Sequence, residues 1–204
     1  MSLWICTLGL LLASFFPSER PEWEEGLMTP WIAPDNRARL NGMDIRYADQ
    51  DGRTGVLGDL MNKPVVITFF YSRCENAAKC SMTVSRLAAL QHTLRARGLD
   101  SRARVLAITY EPQFDTSERI HRFGSDRGLA FGPDAKALRI ETDELRRLVE
   151  MIEAPVNYNA GWVNTHGVEL TLFDGRGRLV RKYHTIGWTN TAVAADLNRV
   201  LSGR

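Results

Sequence analysis

Two cysteines carry the most informative chemistry in this chain. Cys74 and Cys80 stand with five residues between them, directly after the apolar run Val65-Val66-Ile67-Thr68-Phe69-Phe70-Tyr71 and where a helical pattern begins. A thiolate is the nucleophile of disulfide exchange and also a ligand for soft metal ions, so the pair suits either redox chemistry or metal capture. Cys80 falls at or near the first helical turn, where free N–H groups and the helix dipole favour a negative charge. Arg73 and Lys79 add positive charge that acts in the same direction. The plain alternative is two unrelated buried cysteines, against which the polar loop between them argues. Five intervening residues exceed the two of a thioredoxin-type redox motif, yet both sulfurs can still reach one ion or each other.

The elements that must position these thiols are visible around them. The run from Val65 is β-branched and aromatic throughout, which predicts a strand buried on both faces, with Pro64 at its start where a missing N–H costs least. After Cys80, the apolar positions Val84, Leu87, Ala88, Leu90 and Leu94 fall near one helical face, and Gly98 is a natural stop. Arg104-Val105-Leu106-Ala107-Ile108-Thr109-Tyr110 predicts a second buried strand, parallel to the first through a right-handed βαβ connection. Asp115-Thr116-Ser117-Glu118 has the form of a capping box, with Asp115 at the N-cap and Glu118 at N3. A further helix carries Leu145, Leu148, Val149 and Ile152, started by Thr142 or Asp143. Val168–Phe173 and Arg178–Tyr183 flank the turn Asp174-Gly175-Arg176-Gly177 as a β-hairpin. A last helix begins around Asn190 and buries Val193, Leu197, Val200 and Leu201. Upstream, turn signals at Asn41-Gly42 and Asp51-Gly52 flank the short segment Ile45-Arg46-Tyr47. The order is β-α-β-α-(α)-β-β-α with a dithiol after the first long strand, which is the thioredoxin order.

The whole chain sets further limits. Its 204 residues accommodate one domain plus an N-terminal appendage. A net charge of +2, with scattered arginines, points to a solvated surface and not to nucleic acid. Three cysteines are too few for a disulfide scaffold, and Cys6 lies far from the other two in sequence. Residues 3–16 are almost wholly apolar, the length of a signal-peptide core and short for a spanning helix. Residues 1–17 are therefore expected to be an export signal or membrane anchor. Residues 18–37, broken by prolines and carrying Trp23 and Trp31, are expected to form a linker, and residues 38–204 the domain.

The ordered set of motifs resembles the SCO/SenC family of copper-handling proteins. Phe69-Phe70-Tyr71-Ser72-Arg73-Cys74 with Cys80 and the Leu87-Ala88-Ala89-Leu90-Gln91 helix is similar to the family's cysteine loop. Asp51-Gly52-Arg53 through Asn62-Lys63-Pro64 resembles its leading hairpin. Ile108-Thr109-Tyr110-Glu111-Pro112 with Asp115-Thr116-Ser117-Glu118 resembles its "V-D-P-x-x-D-T-P-E" stretch. Asn164-Thr165-His166-Gly167 resembles its "D-H-S" ligand site. The likeness spans roughly residues 40 to 201. Four departures stand out: the family usually has three residues between its cysteines and a proline after the second, where this chain has five and Ser81. Thr165 also stands where the family has an aspartate before the histidine, and Glu111 takes the place of the "V-D-P" aspartate.

The resemblance implies an α/β, thioredoxin-like fold, a central mixed β-sheet flanked by helices, behind the N-terminal signal or anchor. It implies copper, as Cu(I), Cu(II) or both, held by Cys74, Cys80 and His166. It also implies a chaperone role, with the copper-site subunit of a respiratory oxidase or another copper or thiol protein as partner. The location implied is the periplasmic side of a bacterial inner membrane, tethered through the N-terminal segment. His92 and His121 fall within helical patterns and are expected on the surface, while His184 is a candidate for supporting a ligand. A second hypothesis is an exported thiol-disulfide oxidoreductase using the Cys74/Cys80 pair, for which His166 would be dispensable. A third is a peroxide-handling or redox-sensing domain with one reactive cysteine.

Overall fold

The computed structural model describes residues 30–76 and 78–203. The expected signal or anchor over residues 1–17, Cys6, Trp23 and the linker up to residue 29 lie outside the described residues. Among the described residues, no helix is long and apolar enough to cross a membrane.

The described residues form nine strands and four α-helices in sequence: β1 (Arg46–Asp49), β2 (Thr54–Val56), β3 (Val65–Phe70), α1 (Cys80–Ala96), β4 (Arg104–Thr109), α2 (Ser117–Ser125), β5 (Ala135–Ile140), α3 (Thr142–Met151), β6 (Val156–Asn159), β7 (Trp162–His166), β8 (Glu169–Phe173), β9 (Leu179–His184) and α4 (Asn190–Leu201). Seven strands form one sheet in the order β2-β1-β5-β4-β3-β8-β9, and β6-β7 form a separate two-stranded sheet. β3, β4 and β5 are parallel neighbours, while β1 joins β5, and β8 joins β3, in antiparallel fashion. The sheet is mixed, as expected.

The alternation of side chains along a strand explains the layering. Val66 and Phe70 of β3 point into a core shared with Val84, Leu87 and Leu90 of α1, Ile120 of α2 and Val193 of α4. Val65, Ile67 and Phe69 face the other way, against Leu145, Leu148 and Val149 of α3. Each such fully buried aliphatic side chain contributes roughly 1.5–3 kcal/mol through area removed from water. Thr68 is the polar member of β3, and its buried hydroxyl donates to the Glu169 carbonyl at 2.8 Å.

Several local expectations correspond to the observed elements. Cys80 opens α1, and Gly98 follows its C-cap in the left-handed region at φ +65°. The 174–177 turn joins β8 to β9 as an antiparallel hairpin. The expected element order is incomplete, however. Strand β5 and the β6-β7 hairpin also intervene between α2 and β8, and His166 is the last residue of β7. Trp31 is half-buried against the core, with the guanidinium groups of Arg181 and Arg199 at 5.1 and 4.9 Å from its ring. Ile32 N–H also bonds Val180 O at 3.0 Å, laying this arm along β9.

Candidate metal centre

The cysteine loop leaves the end of β3 and is held to the end of β4 by one buried carboxylate. Asp115 accepts from the backbone N–H of Ser72 at 3.1 Å and from the hydroxyls of Ser72 and Thr109. The Thr109 hydroxyl in turn accepts from Glu111 N–H at 3.1 Å. The expected capping box is therefore corrected. Helix α2 is capped by Thr116, whose side chain accepts from Arg119 N–H. Asp115 instead serves the loop, because a fully buried carboxylate needs several donors and the turn after β3 supplies them.

His166 arrives on β7, 92 positions downstream of Cys74 and 86 downstream of Cys80. Its Nε2 lies 3.7 Å from Cys74 Sγ and 3.6 Å from Cys80 Sγ. The three ligand atoms all lie within 4.8 Å of one another. Nδ1 lies 2.8 Å from the Gly167 carbonyl oxygen. A carbonyl only accepts, so Nδ1 carries the proton and Nε2 turns its lone pair towards the sulfurs. Tyr71 packs edge-on against the imidazole, with ring centroids 5.3 Å apart. Two thiols and a neutral imidazole make a donor set suited to copper: the thiolates favour Cu(I), and the added nitrogen accommodates Cu(II).

Electrostatics separate the two thiols in a way the sequence alone does not suggest. Burial raises the Cys80 thiol far above its ordinary value, outweighing the Tyr71 backbone hydrogen bond that opposes it. Burial also acts to raise Cys74, but hydrogen bonds from the Cys80 backbone and thiol, the Asn76 backbone and the Tyr71 side chain bring it below its ordinary value. The helix N-terminus thus stabilises Cys74, not Cys80, because the first helical N–H points at the neighbouring sulfur. Arg73 and Lys79, expected to favour the thiolates, are engaged elsewhere: Arg73 pairs with Glu111, and Lys79 donates to the His166 carbonyl. Desolvation lowers the His166 pKa, which keeps the ring neutral and free to act as a ligand. In the reduced, metal-free chain at pH 7, iodoacetamide is expected to label Cys74 at least about tenfold faster than Cys80. Peptide mapping of a time course measures this, and equal rates would contradict the asymmetry.

The remaining histidines stand apart. His92 and His121 are exposed, the latter tilted against the Phe131 ring at 5.2 Å. Among the described residues, His184 does not contact the three ligands; its Nδ1 lies 3.3 Å from Oε2 of the buried Glu169. Burial raises the Glu169 carboxyl to about 7, with Lys182 opposing the shift. Between pH 4.5, the group's ordinary value, and pH 7, folded Glu169 therefore keeps a proton that the unfolded chain has released. Stability attributable to this group falls as pH rises through that window, by about 3–4 kcal/mol at roughly 1.4 kcal/mol per pH unit. Glu169→Gln is expected to flatten that part of the profile, as urea unfolding at pH 5 and pH 8 would show. An unchanged difference between the two pH values would refute it.

Two contributors to the site were not singled out for this role by sequence reasoning. Glu111 is fully buried and accepts from Arg73 Nε at 2.5 Å, Arg73 NH2 at 3.0 Å and Val163 N–H at 3.0 Å. Lys79 Nζ lies 2.9 Å from the His166 carbonyl oxygen. The signal available for Glu111 is a carboxylate at the end of a buried apolar strand, where an unpaired charge is too costly to leave.

A dithiol and an imidazole at the strand-to-helix turn of a helix-flanked mixed sheet define a thioredoxin-like protein with a soft three-ligand site. The SCO1/SenC family model matches residues 34–202, and the chain belongs to that family. Among solved structures, it is similar to a SCO1/SenC family lipoprotein from Bacillus anthracis, at TM-score 0.70 and 19% identity, covering 83% of this chain and 99% of that one. BsSco, a member of the Sco family of cytochrome c oxidase assembly proteins in which a disulfide switch was identified, matches at TM-score 0.69 and 18% identity, covering 82% and 97%. Arabidopsis thaliana ScoI with copper bound matches at TM-score 0.64 and 17% identity, covering 81% and 99%. No curated protein matches the sequence.

Proposed function

We propose that this chain is a copper-binding, metallochaperone-like protein with Cys74, Cys80 and His166 as the ligands. The observation that carries this reading is the convergence of both sulfurs on His166 Nε2, with the other ring nitrogen occupied by a backbone carbonyl. Family membership and the copper-bound ScoI structure support it. Copper here is cargo, passed on by stepwise ligand exchange and not by turnover. Cys74 is half-buried while Cys80 and His166 are buried, so an incoming ligand meets Cys74 first. The recipient we propose is a copper-site subunit of a respiratory oxidase, in keeping with the family of BsSco. The location we propose is the periplasmic side of a bacterial inner membrane, with the apolar residues 3–16 as signal or tether.

The thiol asymmetry favours a second reading, a thiol-disulfide oxidoreductase. Cys74 thiolate would attack one sulfur of a target disulfide and expel the other as a thiolate. Cys80, once deprotonated, would then displace the target, leaving a Cys74–Cys80 disulfide and a target reduced by two electrons.

Titration of the full reduced chain and of His166→Ala with copper separates the two. Tight binding that weakens on loss of the imidazole is expected. A chain that binds no copper, yet reduces a disulfide substrate equally well with and without His166, would overturn the copper reading.

A further inference from the structure

The strand that brings His166 to the thiols belongs to the small β6-β7 sheet, separate from the main sheet. Among the described residues, no backbone hydrogen bond joins this hairpin to a strand of the main sheet. Side chains hold it in place, and the two ties closest to the site start from the residues that immediately precede the two cysteines. Arg73, before Cys74, makes a two-point ion pair with buried Glu111, which also accepts from Val163 N–H on β7 at 3.0 Å. The Arg73 guanidinium stacks on the Trp162 ring at 4.1 Å, again on β7. Lys79, before Cys80, donates from Nζ to the carbonyl oxygen of His166 itself at 2.9 Å.

We infer that Lys79 and the Arg73–Glu111 pair are positioning residues that clamp β7 to the cysteine loop and so hold the His166 imidazole against both thiols. The inference rests on the copper reading and deepens it. The physical argument is one of preorganisation. A ligand on a strand outside the main sheet must otherwise be ordered at the moment of binding, at the expense of affinity. Two ties at Val163 and His166, three residues apart, fix both the position and the tilt of the strand end. Each tie is a charge-assisted hydrogen bond, the stronger kind, and the Glu111 end is fully buried. The cysteine loop of five intervening residues places the lysine directly before α1, where its side chain reaches across to β7. Glu111, in the place of the shorter aspartate, spans from the end of β4 to both Arg73 and the Val163 amide.

The test compares Lys79→Met, Lys79→Arg and Glu111→Gln in the full chain, each with His166 intact and with His166→Ala. Cu(II) affinity is measured by competition with a chelator, and nitrogen hyperfine coupling by electron paramagnetic resonance. Lys79→Met and Glu111→Gln are each expected to weaken binding roughly 10–100-fold, the usual effect of removing a ligand's supporting contact, and to reduce the nitrogen signal. Lys79→Arg is expected to restore both. In the His166→Ala background the same changes should have no further effect, because the clamp acts only through the imidazole. Equal losses in both backgrounds, or no loss in either, would overturn the inference. Amide hydrogen exchange on the metal-free chain supplies an independent readout. Val163 should exchange faster in Lys79→Met and in Glu111→Gln, while β3 and β4 stay protected, and unchanged protection of Val163 would also overturn it. Failure of the unaltered chain to bind copper would defeat the copper reading, and the exchange data would still decide whether the clamp holds the strand.

Discussion

Cys80→Ser is expected to abolish tight Cu(I) binding, a larger loss than the roughly 10–100-fold produced by changes in a ligand's supporting contacts. Cys80 is only 1% exposed, and its Sγ lies 3.6 Å from His166 Nε2. A serine hydroxyl at that position is neutral at working pH and a hard donor, so it replaces neither the charge nor the polarisability of a thiolate. Water cannot take the vacated position easily, since the core of α1 and β3 surrounds it. Cys74→Ser is expected to lose less, because the half-buried Cys74 lies on the open side of the site, where solvent or an added thiol can substitute. Competition with a Cu(I) chelator measures both variants, and thermal unfolding confirms that Cys80→Ser remains folded. Cu(I) affinity within about tenfold of the unaltered chain would place the metal elsewhere.

The second large effect concerns the fold beneath the site. Asp115→Ala is expected to destabilise the protein by about 3–5 kcal/mol, because it removes a fully buried acceptor shared by three donors, of which the Thr109 hydroxyl is itself fully buried. The Ser72 amide and the Ser72 and Thr109 hydroxyls all lose their acceptor. The network also links the turn before Cys74 to the end of β4, so its loss loosens the cysteine loop as well as the core. Asp115→Asn keeps one acceptor oxygen and is expected to lose about half as much. Urea unfolding with an unchanged m-value reports the difference. A loss under about 1 kcal/mol in Asp115→Ala would show that the donors find other partners.

These two residues also illustrate how differently the chain's features can be read. Cys80 announces itself by type and context, a thiol where an apolar strand gives way to a helical pattern. Asp115 looks like an N-cap by local criteria, since Asp115-Thr116-Ser117-Glu118 has the spacing of a capping box. Only the approach of Ser72 and Thr109 from other parts of the chain assigns it to the loop, leaving Thr116 to cap the helix.

The same division runs through the fold. Strands β3 and β4 and helix α1 are legible because burial on both faces of a strand, or along one helical stripe, imposes a pattern on neighbouring residues. Strand β5, Ala-Lys-Ala-Leu-Arg-Ile, hides its character because Lys136 and Arg139 interrupt its apolar run, Lys136 pairing with the buried Asp49 and Arg139 with the exposed Glu141. The hairpin Val156–His166 is polar and half-exposed, so it carries little apolar periodicity to recognise.

For the site, sequence by itself determined a reactive thiol pair at a strand-to-helix turn and, through family resemblance, the candidacy of His166. Those features depend on residue type and on near neighbours in the chain. The tertiary structure alone decided that the imidazole meets both sulfurs, that Nε2 is the nitrogen facing them, and that the thiolate is favoured at Cys74 and not at Cys80. Each of these depends on the direction in which an N–H or a carbonyl points, or on how much chain covers a sulfur, and such directions are set by contacts between residues far apart in sequence.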